Sequence, residues 1–363
     1  MKIVHMTSLH QDNDNRIFYK ECTSLAKKGY DVTLIAAGAE NRKINDVKIV
    51  GYPKASGGRL KRMLRTSFFD IVKICKLLNA DIYHFHDPEL IFAGLYLKMR
   101  GKKVIYDIHE NNPASILSKP YIKSKQVKII ISKLFNIFEQ LSVRFFDALV
   151  TARPDITKRF HHKNIITLRN FPILPDFSKI KSIKIEKKRG SLIFVGGITA
   201  LRGINELLDV FEKLDDYELW LLGPVKEKQL KERIERHPKN VKYFGVVEAF
   251  EVFSYIKAAD AGIITFLPAP NHVETLATKP FEYMACGKPM IMSNFSYWQE
   301  VFGESSLYVN PTNIGNISTT IKKLFENKNG MDKMGKLNEK LAREEYNWDI
   351  EKEKLLSLYK GLV

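Results

Sequence analysis

Cysteine is scarce. The 363 residues hold three, Cys22, Cys75 and Cys286, far apart in the chain, so they build neither a disulfide framework nor a thiolate metal centre. Long apolar runs are missing as well. No stretch reaches the roughly 18–20 residues that a spanning helix needs, and the opening MKIVHMTSLH turns polar by residue 10, without the apolar core of a signal peptide. A reducing cytoplasm is the compartment these absences lead one to expect. Glycine and proline number 20 and 14, too few for collagen-like or mucin-like chains, and 11% aromatic residues speak against disorder. Acidic residues are also short, 41 Asp and Glu against 58 Lys and Arg. That shortage is local: residues 1–190 carry 36 basic and 17 acidic side chains, net +19, and the remainder is −2. Such asymmetry suits a polyanion, whether an anionic membrane or nucleic acid, facing the first half; a lysine-rich surface kept for solubility gives the same count.

Short apolar runs alternate with helical spacing along the whole chain, the pattern of parallel βαβ units. Strands are expected at Lys2–Met6, Asp31–Ala36, Ile82–His86, Lys103–Ile108 and Ala148–Ala152, with a helix over Arg16–Lys28 closed by Gly29. The Pro- and Lys-rich stretch Phe171–Gly190 breaks the rhythm and reads as a linker. The pattern then restarts with strands at Leu192–Val195, Tyr217–Leu222, Val241–Phe244, Ala261–Ile264 and Pro289–Met292. Two consecutive Rossmann-like halves follow, residues 1–172 and 190–349, with a final helix in 350–363 crossing back to the first. In such sheets ligands bind beyond the carboxyl ends of the strands, so a cleft between the halves is the expected site.

Two stretches carry chemistry in the second half. In FVGGITALRG (194–203) a strand runs into Gly196 and Gly197, then Arg202 and a helix. Glycines let backbone approach a phosphate, a helix start favours anions, and arginine pairs with phosphate oxygens. Taken by themselves these residues fit a tight turn with a solvated arginine equally well. In NHVETLATKPFEYMACGKPMI (271–291), Glu274 and Glu282 stand eight apart around Leu276, Ala277, Thr278 and Lys279. Pro280 suits a first helical turn and Thr278 a cap. The amides near this helix start would then face a diphosphate, Glu282 ribose hydroxyls and Glu274 a sugar. A solvated loop acid and a helix-dipole acid are the plainer alternative.

With the opening MTSLHQDNDNRIFYKECTSLAKKGYDV and the stretch IYDIHEN, these motifs make nearly the whole chain resemble glycosyltransferase family 4, the retaining, nucleotide-sugar-dependent GT-B enzymes. The resemblance implies an α/β GT-B fold, two Rossmann-like doubly wound parallel-sheet domains facing across a cleft. It implies transfer of a sugar from a nucleotide diphosphate sugar, UDP- before GDP-, as co-substrate, with no cofactor, in the manner of enzymes building capsule, exopolysaccharide or O-antigen units. Glu282 takes the ribose role, Glu274 the transferred sugar, and Arg202 the diphosphate. The family's second phosphate arginine falls at Gly197, and Lys279 is the candidate to replace its charge. His109 in YDIHE matches a histidine that contacts the donor sugar near the reacting carbon. Two cations and a helix terminus would stabilise the leaving group, so no metal is expected.

The remaining candidates are weaker. His10 and Arg16, in the polar loop after the first strand, and Glu110 and Asn111, after His109, are placed for acceptor hydroxyls or phosphate. His84 and His86 share one face of a strand and Asp87 follows, but no further ligand in the pattern completes a tetrahedron. Basic residues mixed with large apolar ones at 59–76 and 119–138 suit an interfacial helix on anionic lipid as well as an amphipathic helix with a solvated face. Together they give the expectation of a peripheral protein on the cytoplasmic face of the inner membrane, acting on a lipid-linked saccharide, with no nucleic acid partner. The alternatives are a nucleotide-sugar epimerase of the same architecture and a non-catalytic basic binding protein.

Overall fold

The computed structural model describes residues 1–54, 65–119, 121–187, 190–236, 240–248 and 250–362. The basic residues Arg59, Lys61 and Arg62 lie outside the described residues. The chain divides into two compact units, Met1–Asn170 with Trp348–Val363, and Phe171–Asn347.

The first unit is an eight-stranded sheet made of β1 (Lys2–Thr7), β2 (Asp31–Ala37), β3 (Arg42–Ile44), β4 (Val47–Tyr52), β5 (Ile82–Phe85), β6 (Lys103–Ile108), β7 (Ala148–Thr151) and β8 (Ile165–Thr167). The order is β3-β4-β2-β1-β5-β6-β7-β8. Every neighbour is parallel except β3 and β4, a hairpin turned by Asn45 and Asp46 at φ 50° and 62°, the left-handed pair that a tight two-residue turn demands. Central strands buried on both faces explain the unbroken apolar runs of their sequence. The stretch expected as one helix over Arg16–Lys28 is a π-helical segment, Asn15–Cys22, continued by an α-helical turn, Thr23–Lys27. Asp14 caps it, its Oδ1 accepting from the amides of Arg16 and Ile17 at 2.8 and 2.9 Å.

The C-terminal helix, Trp348–Gly361, belongs to this unit. Trp348, Leu355 and Tyr359 enter the cluster formed by Ile3, Leu25, Val32 and Ala148. Trp348 Nε1 donates to Ser24 Oγ at 2.9 Å, and Glu351 Oε2 accepts the Arg169 amide at 2.9 Å.

The second unit is a six-stranded, fully parallel sheet: β9 (Gly190–Val195), β10 (Tyr217–Leu222), β11 (Val241–Gly245), β12 (Ala261–Ile264), β13 (Met290–Ser293) and β14 (Leu307–Val309). Its order is β11-β10-β9-β12-β13-β14. The stretch read as a linker is part of this unit in its described residues. Phe171 stacks edge-on against Phe281 and Tyr346, and Leu174, Phe177 and Ile185 pack on the same core. Their apolar side chains gain more from burial than a free linker would. Among the described residues no helix is long and apolar enough to cross a membrane.

Candidate functional site

In the second unit β9 runs into Gly196, whose φ of 136° only glycine adopts without strain. A short 3-10 turn, Ala200–Arg202, and Gly203 at φ 75° lead into the helix Ile204–Phe211. A side chain at 203 would drive its Cβ to 1.9 Å from the Thr265 carbonyl oxygen, so the loop after β12 packs directly on this turn. Leu267 N donates to Leu201 O at 3.0 Å and closes the same contact. Arg202 reaches back over the glycines: Nη1 donates to Gly197 O at 3.1 Å, and the guanidinium lies 5.3 Å from the Phe266 ring centre. Burial pulls its pKa down, and no acid among the described residues pairs with it. A half-buried cation held over backbone at a helix start is a seat for an anion.

The loop to the next helix is fixed from below. Trp298, fully buried, donates Nε1 to Thr275 O at 2.7 Å, and His272 Nδ1 meets Leu267 O at 3.0 Å. Glu274 follows the turn Pro270–Val273, exposed and without an ion pair among the described residues. Leu276, Ala277 and Thr278 precede the helix Lys279–Ala285, whose first-turn amides have no acceptor within the helix. Thr278 sits at the cap position, but its backbone is helical (φ −80°, ψ −25°) and its hydroxyl makes no capping bond, so the expected cap is absent. Lys279 also departs from expectation. Its Nζ lies 2.7 Å from both Glu282 oxygens, three residues along one helix, so its charge is matched by Glu282 instead of standing free for phosphate.

In the first unit the carboxyl ends of β1, β5 and β6 bring together His10, Asp87 and His109. Asp87 Oδ2 accepts from Thr7 Oγ1 at 2.7 Å and from the Ser8 amide at 2.6 Å, which fixes the loop that carries His10. His10 Nδ1 lies 3.5 Å from Asp14 and Nε2 3.5 Å from Asp87; its ring centre is 5.1 Å from that of His109. Hydrogen bonding to Asp14, partly offset by burial, raises the His10 pKa. His109 Nε2 is 3.0 Å from Asp107 Oδ2 and 3.3 Å from His86 Nδ1. A cavity of about 800 Å³ opens onto Leu9, His10, Asp87, His109, Glu110 and Tyr121. Asn111 is drawn away, its side chain capping the helix Asn112–Leu117 through the Ala114 amide at 3.3 Å.

Arg16 is not an acceptor ligand. It is 5% exposed, and its guanidinium is committed to Asp107 at 3.0–3.1 Å, to Leu168 O at 2.7 Å and to Glu21 Oε1 at 3.0 Å. A buried arginine needs such partners, and the sequence offered no way to see that its neighbours were acids 5 and 91 residues away. Burial would raise the Asp107 pKa, but Arg16 and His109 more than reverse this and hold it well below the carboxylate range. Burial and Asp107 push Glu21 well above that range. Asp12 and Asp14, two apart in the loop, are likewise committed, to Arg42 and to the helix cap. Asp107, Glu21 and His5 were missed by sequence reasoning, because each sits inside an apolar run or an amphipathic helix without a motif of its own.

A chain of two doubly wound parallel-sheet units, one with an arginine-held glycine turn and an acid-flanked helix start, has the GT-B architecture of glycosyltransferases. Family models match it over most of its length: "Glycosyl transferases group 1" over residues 176–344 and "Glycosyltransferase Family 4" over 15–168. The chain belongs to the family 4 type of glycosyltransferase. Solved structures agree in fold. Sucrose-phosphate synthase from Thermosynechococcus elongatus is 14% identical with a TM-score of 0.72, covering 99% of this chain and 98% of its own. An Anabaena protein, HepE, solved with UDP and glucose, is 13% identical with a TM-score of 0.71, covering 99% of each. An uncharacterized 41.2 kDa protein in the cps region of Klebsiella pneumoniae is 24% identical over 259 residues, 68% of this chain and 69% of its own.

Proposed function

We propose that this glycosyltransferase transfers a hexose, with retention of configuration, from a nucleotide diphosphate sugar to a lipid-linked saccharide in the assembly of a bacterial surface polysaccharide. The observation that carries the donor reading is Arg202, a half-buried guanidinium with no acid beside it, poised over Gly196 and Gly197 where a helix begins. In this reading the diphosphate bridges Arg202 and the amides of Leu276, Ala277 and Thr278. Glu282 receives the ribose, and Lys279 exchanges its bond to Glu282 for the phosphate once donor enters. Glu274, exposed and without an ion pair among the described residues, reads the sugar, and His109 acts near the reacting carbon. Charge on the leaving group is met by these cations without a catalytic metal. UDP is favoured as the nucleotide because the HepE structure holds it, with GDP the second choice. The polysaccharide role draws on the cps-region relative.

The acceptor side rests on the first unit: the His10, His109 and Glu110 cavity for the saccharide, and the helix Lys125–Ser142 for the lipid surface. Val127, Ile130, Leu134, Ile137 and Leu141 of that helix are all exposed, three or four residues apart on one side, with Lys125 and Lys133 exposed beside them. Apolar residues left uncovered next to lysines suit insertion into an anionic bilayer from the cytoplasmic side.

A panel of UDP-, GDP- and ADP-sugars followed by thermal shift tests the donor. One nucleotide class should stabilise the wild-type chain, and Arg202→Ala and Glu282→Ala should abolish the shift; a shift that survives both substitutions overturns the assignment. Transfer without added divalent ion, with the product anomer read by NMR, tests the chemistry.

A further inference from the structure

Behind the His109 cavity, in the first unit, four side chains with no part in the proposed transfer converge: His5 of β1, Glu21 of the π-helical segment, His84 of β5 and His86 just beyond it. One ligand atom from each lies within 4.8 Å of all the others, and all four residues are buried, none more than 2% exposed. The nitrogens facing away from the centre are tethered. His86 Nδ1 is held by Asp107 Oδ2 at 3.3 Å, and both His5 Nε2 and His84 Nδ1 by the Tyr359 hydroxyl, at 3.1 and 2.8 Å. That leaves His5 Nδ1 and His86 Nε2, 2.9 Å apart, and His84 Nε2. His84 Nε2 and both Glu21 oxygens find no hydrogen-bond partner among the described residues. Glu21 Oε1 stands 3.0 Å from Arg16 Nε, but that N–H is directed to Asp107, with which Arg16 already forms a full ion pair.

Ionised Asp107 accepts from His86 Nδ1–H, so His86 Nε2 is a lone pair that accepts from His5 Nδ1–H. His5 Nε2 then accepts from Tyr359, and Tyr359 oxygen from His84 Nδ1–H. The chain ends on the His84 Nε2 lone pair, buried close to the Glu21 carboxyl group. With Glu21 kept protonated by burial and Asp107, the facing atoms carry two protons, on His5 Nδ1 and on the carboxyl, and a divalent cation can take the place of both at these four groups.

We propose that His5 Nδ1, His84 Nε2, His86 Nε2 and the Glu21 carboxylate bind a divalent first-row transition ion, with zinc the readiest. Three imidazoles and one carboxylate suit Zn²⁺ in four-coordination. Each histidine has its other nitrogen fixed by an oxygen, as metal-bound histidines do. His5 Nδ1 and His86 Nε2 need to part by only a few tenths of an ångström to span the edge of a tetrahedron, about 3.3 Å for Zn–N bonds of about 2.0–2.1 Å. On binding, His5 shifts its one ring proton from Nδ1 to Nε2, where it donates to the Tyr359 oxygen while the tyrosine hydroxyl hydrogen turns away, and the Glu21 carboxyl releases its proton to solvent and binds as the carboxylate. Complete enclosure leaves no open position for substrate, so the ion is structural. It ties β1, β5 and the π-helical segment together and, through Tyr359, the C-terminal helix.

The test uses the full-length protein. Purified without chelator, it should carry one zinc per chain by elemental analysis. Stripping should lower its melting temperature and zinc should restore it. Cobalt(II) in place of zinc should give the visible absorption of a tetrahedral site. Glu21→Gln and His84→Gln should reduce bound metal to background, whereas His109→Gln, which disrupts the neighbouring His86, Asp107 and His109 group, should retain it. Tyr359→Phe keeps the ligands and should weaken affinity about 10–100-fold, a result available even if the ligand variants fail to fold. Wild-type protein that takes up no stoichiometric zinc and shows no thermal response to chelator or zinc overturns the proposal, and so does His84→Gln retaining the wild-type metal content; a buried water would then fill the gap.

Discussion

Arg202 and His10 each occupy an environment that sets their behaviour, in opposite ways. Arg202 is a cation that burial penalises and no carboxylate relieves, so an incoming phosphate gains a partner without having to displace one. Hydrogen bonds to charged groups contribute about 1.5–3 kcal/mol each, so Arg202→Ala should weaken nucleotide binding by roughly 10–100-fold, as calorimetry would show. His10 instead has acids on both sides, at 3.5 Å each. Its folded pKa lies above the ordinary 6.5, so its favourable contribution is complete below that value and fades as pH rises through the higher, folded midpoint. An NMR titration should place the His10 midpoint above 6.5 and return it towards 6.5 in Asp14→Asn. Asparagine still caps the helix, so a midpoint unmoved by that change would leave the Asp14 contact without effect.

At the scale of elements, the helix Lys125–Ser142 is the clearest unfinished surface. Its buried face holds Ser132, Glu139 and Ser142, and Glu139 is held by Tyr106, Asn112 and Arg159. The opposite stripe from Val127 to Leu141 is exposed. Ile130→Glu with Leu134→Glu should abolish binding to vesicles containing phosphatidylglycerol while lowering the melting temperature by no more than about 2–4 °C, because surface substitutions away from the core rarely cost more than about 0.5 kcal/mol each. Vesicle binding that survives the double change would move the membrane contact elsewhere.

How far these elements could be read in the chain depended on what each one buries. Strands β1, β2, β6, β10 and β12 stand between apolar neighbours on both faces, so Lys103–Ile108 and Tyr217–Leu222 show as plain apolar runs with sharp ends. The hairpin of β3 and β4 was invisible because Arg42, Lys43 and Ile44 are exposed at a sheet edge and need no apolar pattern. In the loops proposed to hold the donor the residue types were legible but not their pairing: Lys279 chooses Glu282 because both lie on one helix face, which spacing alone leaves open to solvent or phosphate. The buried polar cluster was hardest of all. His5 and Tyr359 are 354 residues apart, and a histidine inside an apolar run looks the same whether it is a ligand or a core residue.

For the whole molecule, the last fourteen helical residues decide whether the first unit folds. Trp348, Leu355 and Tyr359 are each at most 3% exposed within that unit's core, although it is otherwise built from residues 1–170. Burying a large side chain contributes about 1.5–3 kcal/mol, so three together approach the about 5–15 kcal/mol by which a domain is stable. Removing them also leaves His5 and His84 without the hydroxyl that holds them both. The second unit, residues 171–347, has its own sheet and its own cores, whose members among the described residues lie between Phe171 and Tyr346. A chain ending at Asn347 should therefore lose amide protection throughout 1–170 in hydrogen exchange while keeping it in β9, β10, β12 and β13. Tyr359→Phe, which retains the ring, should keep protection in both units. If the shortened chain protects β1 and β5 as the full chain does, the helix is an accessory to the first unit and not part of its core.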